Sequence, residues 1–90
     1  MAEVRLSDPL RQYAKNRSKV KVGPCANVFE VIASLARDFP GIDRKILDDQ
    51  DNVRRYVNVF VNGELIPDAP SRVSVADGDE IYIIQSVAGG

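Results

Sequence analysis

The fold of this chain is indicated most clearly by the segment Val57-Asn58-Val59-Phe60-Val61-Asn62-Gly63-Glu64-Leu65-Ile66. Its first half is rich in β-branched residues and has valine at every second position, which predicts a strand. Asn-Gly is a preferred pair for a two-residue type I′ turn, because both turn positions need a positive φ. The segment therefore predicts a β-hairpin.

Working outward, a second hairpin is predicted at the N-terminus. Apolar residues alternate with polar ones over residues 3–7 and again over residues 19–22, which is the period of half-buried strands. Asp8-Pro9 and Gly23-Pro24 end these two strands, since both pairs favour turns. The short stretch 10–13 follows the first strand.

One long helix is predicted between the two hairpins. Asn27 is a good N-cap, and Glu30 occupies the third helical position, as in a capping box. Apolar residues at helical spacing form its buried face, namely Val28, Val31, Ile32, Leu35 and Phe39. Pro40-Gly41 ends the helix, because proline cannot continue the hydrogen-bond ladder.

The remaining segments carry turn signals. Residues 42–55 are rich in charge and predict a short helical turn followed by an exposed loop. The aspartates at 48, 49 and 51 lack the glycine and distal glutamate of an EF-hand, so no metal site is predicted. Beyond the prolines at 67 and 70, we expect an extended piece over 71–75, a turn at Asp77-Gly78 and a last strand over 80–84.

The predicted order is ββαβββ, an α+β architecture with one mixed sheet and one main helix packed across it. This is the β-grasp layout. Residues 1–84 are expected to form the domain, and residues 85–90 a flexible C-terminal tail that ends in Gly89-Gly90.

Composition narrows the possible functions. The chain has 90 residues and a net charge of -1, with charges of both signs interspersed, so neither a nucleic acid nor a membrane is an expected partner. The N-terminal residues do not resemble a targeting leader, and the longest apolar run, 81–84, is too short to span a bilayer. A cytoplasmic location is expected.

The single cysteine and the absence of histidine exclude most catalytic chemistry. One cysteine cannot form an internal disulfide or hold an iron-sulfur cluster, and no Cys/His metal site or histidine-based catalytic pair can be assembled. Cys25 is interpreted as a small buried hydrophobe and is given no role.

Strand alternation also predicts a surface for partners. Burying an unpaired Asn58 would be costly, so the valines of that strand should face the core and Phe60 should point outward. By the same alternation Tyr82 and Ile84 face away from the core residues at 81 and 83, which places a candidate apolar docking patch close to the tail. Coverage of these side chains by the chain's own loops is the alternative. Two interpretations are open for Arg54 and Arg55: a polar rim of this patch, or a solvated loop, which is the preferred one.

Several motifs resemble a known family. The segments Val61-Asn62-Gly63, Asp77-Gly78-Asp79-Glu80-Ile81 and Val87-Ala88-Gly89-Gly90 are similar to the end of the ThiS/MoaD sulfur-carrier family of ubiquitin-like proteins. Pro9-Leu10-Arg11, Phe39-Pro40-Gly41 and residues 55–63 resemble its longer members, including the carriers used for cysteine biosynthesis. Members often carry prolines just before the Val-x-Gly-Gly end, whereas this chain has Gln85-Ser86, so its tail is expected to be more mobile.

The resemblance implies a carrier that is acted on by enzymes and is not itself one. The Gly90 carboxylate would be adenylated by a ubiquitin-activating-type enzyme that uses ATP, and then converted to a thiocarboxylate. No cofactor is expected to be bound. Other implied partners are a sulfur-accepting biosynthetic enzyme and a metalloprotease that releases the product or trims the tail.

The tail residues each have an expected role. Gly89 and Gly90 lack Cβ atoms and can pass a narrow channel in a partner, while Val87 and Ala88 would contact it. Residues 85–90, fully extended, would reach at most about 20 Å beyond the last strand.

Other functions remain open at this point. The same carboxylate could join lysines of other proteins, as in a ubiquitin-like modifier, or the chain could be a molybdopterin synthase small subunit or a plain interaction module. The acceptor of the sulfur is also open among cysteine, thiamine thiazole, molybdopterin and a specialised thio-metabolite.

Overall fold

The structure is a computed structural model that describes residues 2–67 and 69–86. Within these residues the chain forms one five-stranded sheet, of order β2-β1-β5-β3-β4. The strands are β1 (Ala2–Leu6), β2 (Lys19–Val22), β3 (Val57–Val61), β4 (Glu64–Leu65) and β5 (Glu80–Gln85).

The sheet is mixed, because its first and last strands run parallel. β1 pairs with β5 in parallel, with Val4 opposite Ile81 and Leu6 opposite Ile83, whereas the other three pairings are antiparallel. The predicted ββαβββ order, the mixed sheet and the β-grasp layout are confirmed.

Both predicted hairpins are present. At the tip of the β3–β4 hairpin, Asn62 and Gly63 have φ values of 50° and 87°, as a type I′ turn requires. β1 and β2 pair antiparallel, but their connection holds a helical turn, α1 (Asp8–Arg11), and a 3₁₀ turn (Gln12–Ala14). Proline in the first turn of α1 suits that position, because the N–H it lacks would have no helical partner there.

The main helix, α2 (Val28–Asp38), has the predicted capping. The Asn27 side chain accepts a hydrogen bond from the Glu30 N–H at 2.9 Å, and Glu30 Oε1 accepts from the Ala26 N–H at 2.9 Å. The helix ends before Pro40, and Gly41 turns the chain with a φ of 96°. A short helix, α3 (Ile42–Ile46), follows as predicted.

A single apolar core fills the space between α2 and one face of the sheet. It is built from the alternate inward residues of the strands and the predicted face of the helix. The largest fully buried side chains are Leu6, Leu10, Ile32, Leu35, Ile42, Ile46, Ile81 and Ile83.

The predicted extended piece over 71–75 is partly wrong. Residues Pro70–Arg72 form a 3₁₀ turn, and only Ser74 makes an isolated bridge, to Asn27. The reason is tertiary: this segment lies beside the start of α2, where the Val73 carbonyl accepts from the Val28 N–H and the Val75 N–H donates to the Ala26 carbonyl. It stabilises the helix start and does not join the sheet.

The acidic loop after α3 is organised by its own backbone. Asp48 Oδ1 accepts hydrogen bonds from the Gln50 and Asn52 N–H groups at 2.9 and 3.1 Å, and Leu47 bridges Val53. Such an Asx turn accounts for Asp48 without a cation. Over residues 2–67 and 69–86, no group of three or more His, Cys, Asp or Glu side chains is arranged to hold a metal ion. Each helix in that part of the chain is too short or too polar to cross a bilayer.

Candidate functional site

The last strand determines where the C-terminal tail leaves the domain. β5 lies between β1 and β3, and its Ile81 and Ile83 are fully buried in the core. The strand continues through Gln85, one residue past the expected end of the domain at residue 84. Four residues with predicted roles, Val87, Ala88, Gly89 and Gly90, lie outside the described residues.

Two hydrogen bonds hold the end of β5 in place. The Gln85 N–H donates to the Ser7 hydroxyl at 3.0 Å, and the Ser86 N–H donates to the Tyr56 carbonyl at 2.8 Å. A proline at either position would lack the donor. Gln85-Ser86 therefore provides an anchored strand end, which differs from the looser connection expected from the sequence at these two positions. Greater mobility of residues 87–90 stays a prediction.

The outer face of the sheet carries one continuous cross-strand row. Tyr82 on β5 lies opposite Phe60 on β3 and beside Arg5 on β1. Arg5 in turn lies opposite Lys19 on β2, and Phe60 lies opposite Leu65 on β4. The face is therefore basic at the β2 side and apolar at the β3–β4 side.

The predicted apolar patch lies on this outer face. Tyr82 is 40% exposed, while Phe60 and Ile84 are half-buried, and Ile84 lies opposite the exposed Asn58. The predicted core side is also found, because Val57 and Val59 are buried, although Val61 is only partly buried. The patch extends further than expected, because Leu65 is 60% exposed at its edge. The predicted hairpin already implied this extension, because its register pairs Leu65 with Phe60.

At the opposite end of β5, the Asp77-Gly78-Asp79-Glu80 segment serves the fold. Asn62 Nδ2 donates to Asp79 Oδ1 at 3.0 Å, while Asn62 Oδ1 accepts from the Glu80 N–H at 3.0 Å. Asp79 Oδ2 also accepts from the Ala76 N–H at 2.8 Å. The bond from Ala76 and then that from Asn62 hold the pKa of the Asp79 carboxyl below its ordinary value. This network joins the β3–β4 turn to the start of the last strand.

The other candidate side chains have structural explanations. The Cys25 thiol is half-buried against the core and donates to the Gly23 carbonyl at 3.3 Å. Burial, and then the Glu30 carboxylate, raise the pKa of Cys25, with Arg37 acting in the opposite direction. A raised pKa leaves less of the reactive thiolate. Arg54 Nε donates to the Arg44 carbonyl at 2.7 Å, and Arg55 is exposed in the loop.

Sequence reasoning missed the residues that connect β1 to the tail. Ser7, Arg5 and Lys19 reach the outer face or the strand end only through the parallel β1–β5 pairing and the β1–β2 register. No local pattern in the sequence contains that information. The described part of the site therefore places the end of β5 beside a face that is apolar on one side and basic on the other.

Comparisons with known proteins give a family match, sequence relatives and solved structures of the same fold. The model of the ThiS family matches residues 4–90. Sulfur carrier protein CysO from Mycobacterium tuberculosis and from Mycobacterium bovis is 33% identical over 63 residues, which cover 67% of this chain and 68% of that protein. The crystal structure of the Amycolatopsis orientalis BexX/CysO complex gives a TM-score of 0.86 at 28% identity, with both chains fully covered. SAMP1 from Haloferax volcanii gives a TM-score of 0.76 at 27% identity, over 99% of this chain and 98% of that one.

Proposed function

This chain belongs to the ThiS family and is a sulfur carrier related to CysO, and we propose that the carboxylate of Gly90 is the group that carries the sulfur. As a carrier it is a protein substrate of other enzymes and is not itself an enzyme. The single observation that carries the proposal is the family match, because it extends through the last residue, Gly90.

The proposed chemistry has two steps. The Gly90 carboxylate attacks the α-phosphorus of ATP on a partner enzyme, which forms an acyl-adenylate and releases pyrophosphate. A sulfide donor then adds to the acyl carbon and expels AMP, which leaves a thiocarboxylate. An unactivated carboxylate resists attack because it is anionic and lacks a good leaving group, so adenylation comes first.

Because the end of β5 is anchored, the distance that the tail can span is counted from that point. Counted from Ser86, which is hydrogen-bonded to Tyr56, four residues remain. Fully extended, they span at most about 14 Å. This is shorter than the 20 Å expected for six free residues, and it requires the partner to approach the domain closely. A close approach agrees with a docking surface next to the tail.

The apolar patch of Phe60, Tyr82, Ile84 and Leu65 is the surface proposed for that docking. Side chains of this type, partly exposed and adjacent across strands, supply the apolar centre that protein interfaces use. Val87 and Ala88 would continue the contact into the partner. The solved complex of a CysO protein with BexX supports a partner protein in sulfur transfer.

Further partners belong to the same proposal. We propose an adenylating enzyme of the ubiquitin-activating type that binds the ATP, a biosynthetic enzyme that accepts the sulfur, and a metalloprotease that releases the product or trims the tail. The resemblance of residues 55–63 to the carriers used for cysteine biosynthesis favours cysteine as the product. We also propose that the protein is located in the cytoplasm.

A second candidate function is protein modification through the same carboxylate. It is favoured by the structural likeness to SAMP1 of Haloferax volcanii, which is a small archaeal modifier protein. Immunoblotting of cells for the carrier separates the two: ladders of higher-mass conjugates support modification, and their absence during sulfur transfer supports the carrier.

ATP–pyrophosphate exchange tests the first step directly. With the activating enzyme of the same organism, the full chain is expected to support exchange, and the variant without Gly90 is expected to support none. Circular dichroism checks that the shortened chain folds. Equal exchange by both proteins would contradict the assignment to Gly90.

A further inference from the structure

A basic pocket opens on the outer face of the sheet at the end from which the tail departs. It has a volume of about 150 Å³ and is lined by Arg5, Leu6, Arg11, Ser18, Lys19 and Tyr82. Three of these six side chains are cationic, although the whole chain has a net charge of -1. The pocket therefore attracts an anionic group, whereas the protein as a whole does not.

The three cations are not equally available. Arg5 Nε lies 3.3 Å from Glu80 Oε2 and 3.7 Å from Glu3 Oε1, so its charge is partly balanced. Arg11 is held in place because its Nε donates to the Leu6 carbonyl at 2.9 Å and its Nη1 pairs with Asp8. Lys19 is exposed and forms no ion pair with any residue in 2–67 or 69–86. Lys19 and the free edge of the Arg11 guanidinium are the available donors.

The size and surroundings of the pocket favour a small anion on a protein. Its volume equals that of about five water molecules at roughly 30 Å³ each, which suits one carboxylate with some retained water. Glu3 and Glu80 lie on the same face of the sheet, beside Arg5, and would repel a long polyanion such as a nucleic acid. Tyr82 lines the pocket and also pairs with Phe60, so the pocket is continuous with the apolar patch.

We propose that the adenylating partner enzyme inserts an aspartate or glutamate side chain into this pocket while its apolar residues cover the Phe60–Tyr82 patch. The inference rests on the proposed function, which defines that enzyme. Any enzyme that receives the tail must lie close to the pocket, because Gln85 is hydrogen-bonded to Ser7, the residue after Leu6 in the pocket wall. The ion pair orients the carrier and accelerates its association, since complementary charges act mainly on association rates.

The test measures association of the carrier with the activating enzyme of the same organism by stopped-flow fluorescence. Lys19→Glu is compared with Arg37→Glu, which changes the net charge equally but lies on α2, the helix on the opposite face of the sheet. At about 0.15 M salt we expect Lys19→Glu to slow association about three- to tenfold, Lys19→Gln less, and Arg37→Glu hardly at all. At about 1 M salt, where the screening length is roughly 3 Å, the difference should largely disappear.

Two results would overturn the inference: equal rates for Lys19→Glu and Arg37→Glu, or no association of the enzyme with the wild-type chain. Thermal unfolding confirms that each variant is folded. The outcome is independent of chemistry, because binding is measured without ATP. Salt-sensitive binding that is weakened by Lys19→Glu but is followed by no adenylation would refute the proposed function, and would leave the pocket as a docking site for an acidic side chain of a different partner. Adenylation with unaltered binding of Lys19→Glu would refute the pocket inference and leave the proposed function standing.

Discussion

The hydrogen bond between Ser7 and Gln85 is the contact that best tests how the tail is anchored. These residues are 78 positions apart in the sequence, and the Gln85 N–H reaches the Ser7 hydroxyl in a partly buried position. Ser7 precedes α1, but its side chain makes no capping bond there, and the α1 N–H groups of Leu10 and Arg11 donate to its backbone carbonyl. Replacing Ser7 by alanine therefore removes the anchor and leaves the start of α1 intact.

The expected loss of stability in Ser7→Ala follows from leaving the Gln85 N–H without its acceptor. A typical hydrogen bond contributes about 0.5–1.5 kcal/mol net, and leaving a buried donor unpaired costs about 1–3 kcal/mol. Because this site is only partly buried, we expect Ser7→Ala to lower the free energy of unfolding by about 1–2 kcal/mol. At about 4–8 °C for each kcal/mol in a domain of this size, the melting temperature should fall by roughly 5–15 °C.

Urea unfolding and amide hydrogen exchange measure the two parts of this prediction. The Gln85 amide should lose protection in Ser7→Ala, and Ser7→Thr should restore it because threonine keeps the hydroxyl. Ser18→Ala is the matched control, since Ser18 is exposed and, among residues 2–67 and 69–86, only its backbone carbonyl is bonded, to the Leu6 N–H. Its effect should stay within about 0.5 kcal/mol. An unchanged stability of Ser7→Ala, with Gln85 as protected as before, would refute the reasoning.

Three further predictions concern the core, the stability of the fold at low pH and the docking patch. Leu35→Ala, at a fully buried site, should cost about 2–5 kcal/mol in urea unfolding. The same change at Leu65, which is 60% exposed, should cost much less, and equal losses would contradict the core assignment. The lowered pKa of Asp79 stabilises the fold above the ordinary value of 3.8, and this contribution is lost as the pH falls through the folded-state pKa. Between pH 6 and pH 2 the free energy of unfolding should thus fall less steeply in Asp79→Asn than in wild type. Identical pH profiles would contradict this contribution of Asp79. Tyr82→Ala should raise the KM of the activating enzyme for the carrier about three- to tenfold, whereas Tyr13→Ala, similarly exposed but off the patch, should leave it unchanged.

Much of the fold could be predicted because its signals are local. The alternation over 57–61, the Asn62-Gly63 turn and the Asn27 cap each depend on neighbouring residues only, and the structure contains all three. The outward side of Phe60 follows from the same alternation. Such signals specify elements and faces before any tertiary contact is known.

The remainder depends on pairings between distant segments. Pattern in β1 does not reveal that it lies parallel to β5, so neither the Ser7 anchor nor the pocket beside Lys19 could be predicted. The error over residues 71–75 has the same origin, because the backbone groups of Val73 and Val75 bond to the residues at the start of α2. The local preference of these residues for extended backbone did not determine which segment they would pair with.

Tandem mass spectrometry of the intact carrier tests the central proposal most directly. After incubation with the activating enzyme, ATP and a sulfide source, we expect the mass change of one oxygen replaced by sulfur, located in the C-terminal fragment that contains Gly90. An unchanged mass of the fragment that contains Gly90 would contradict the proposal.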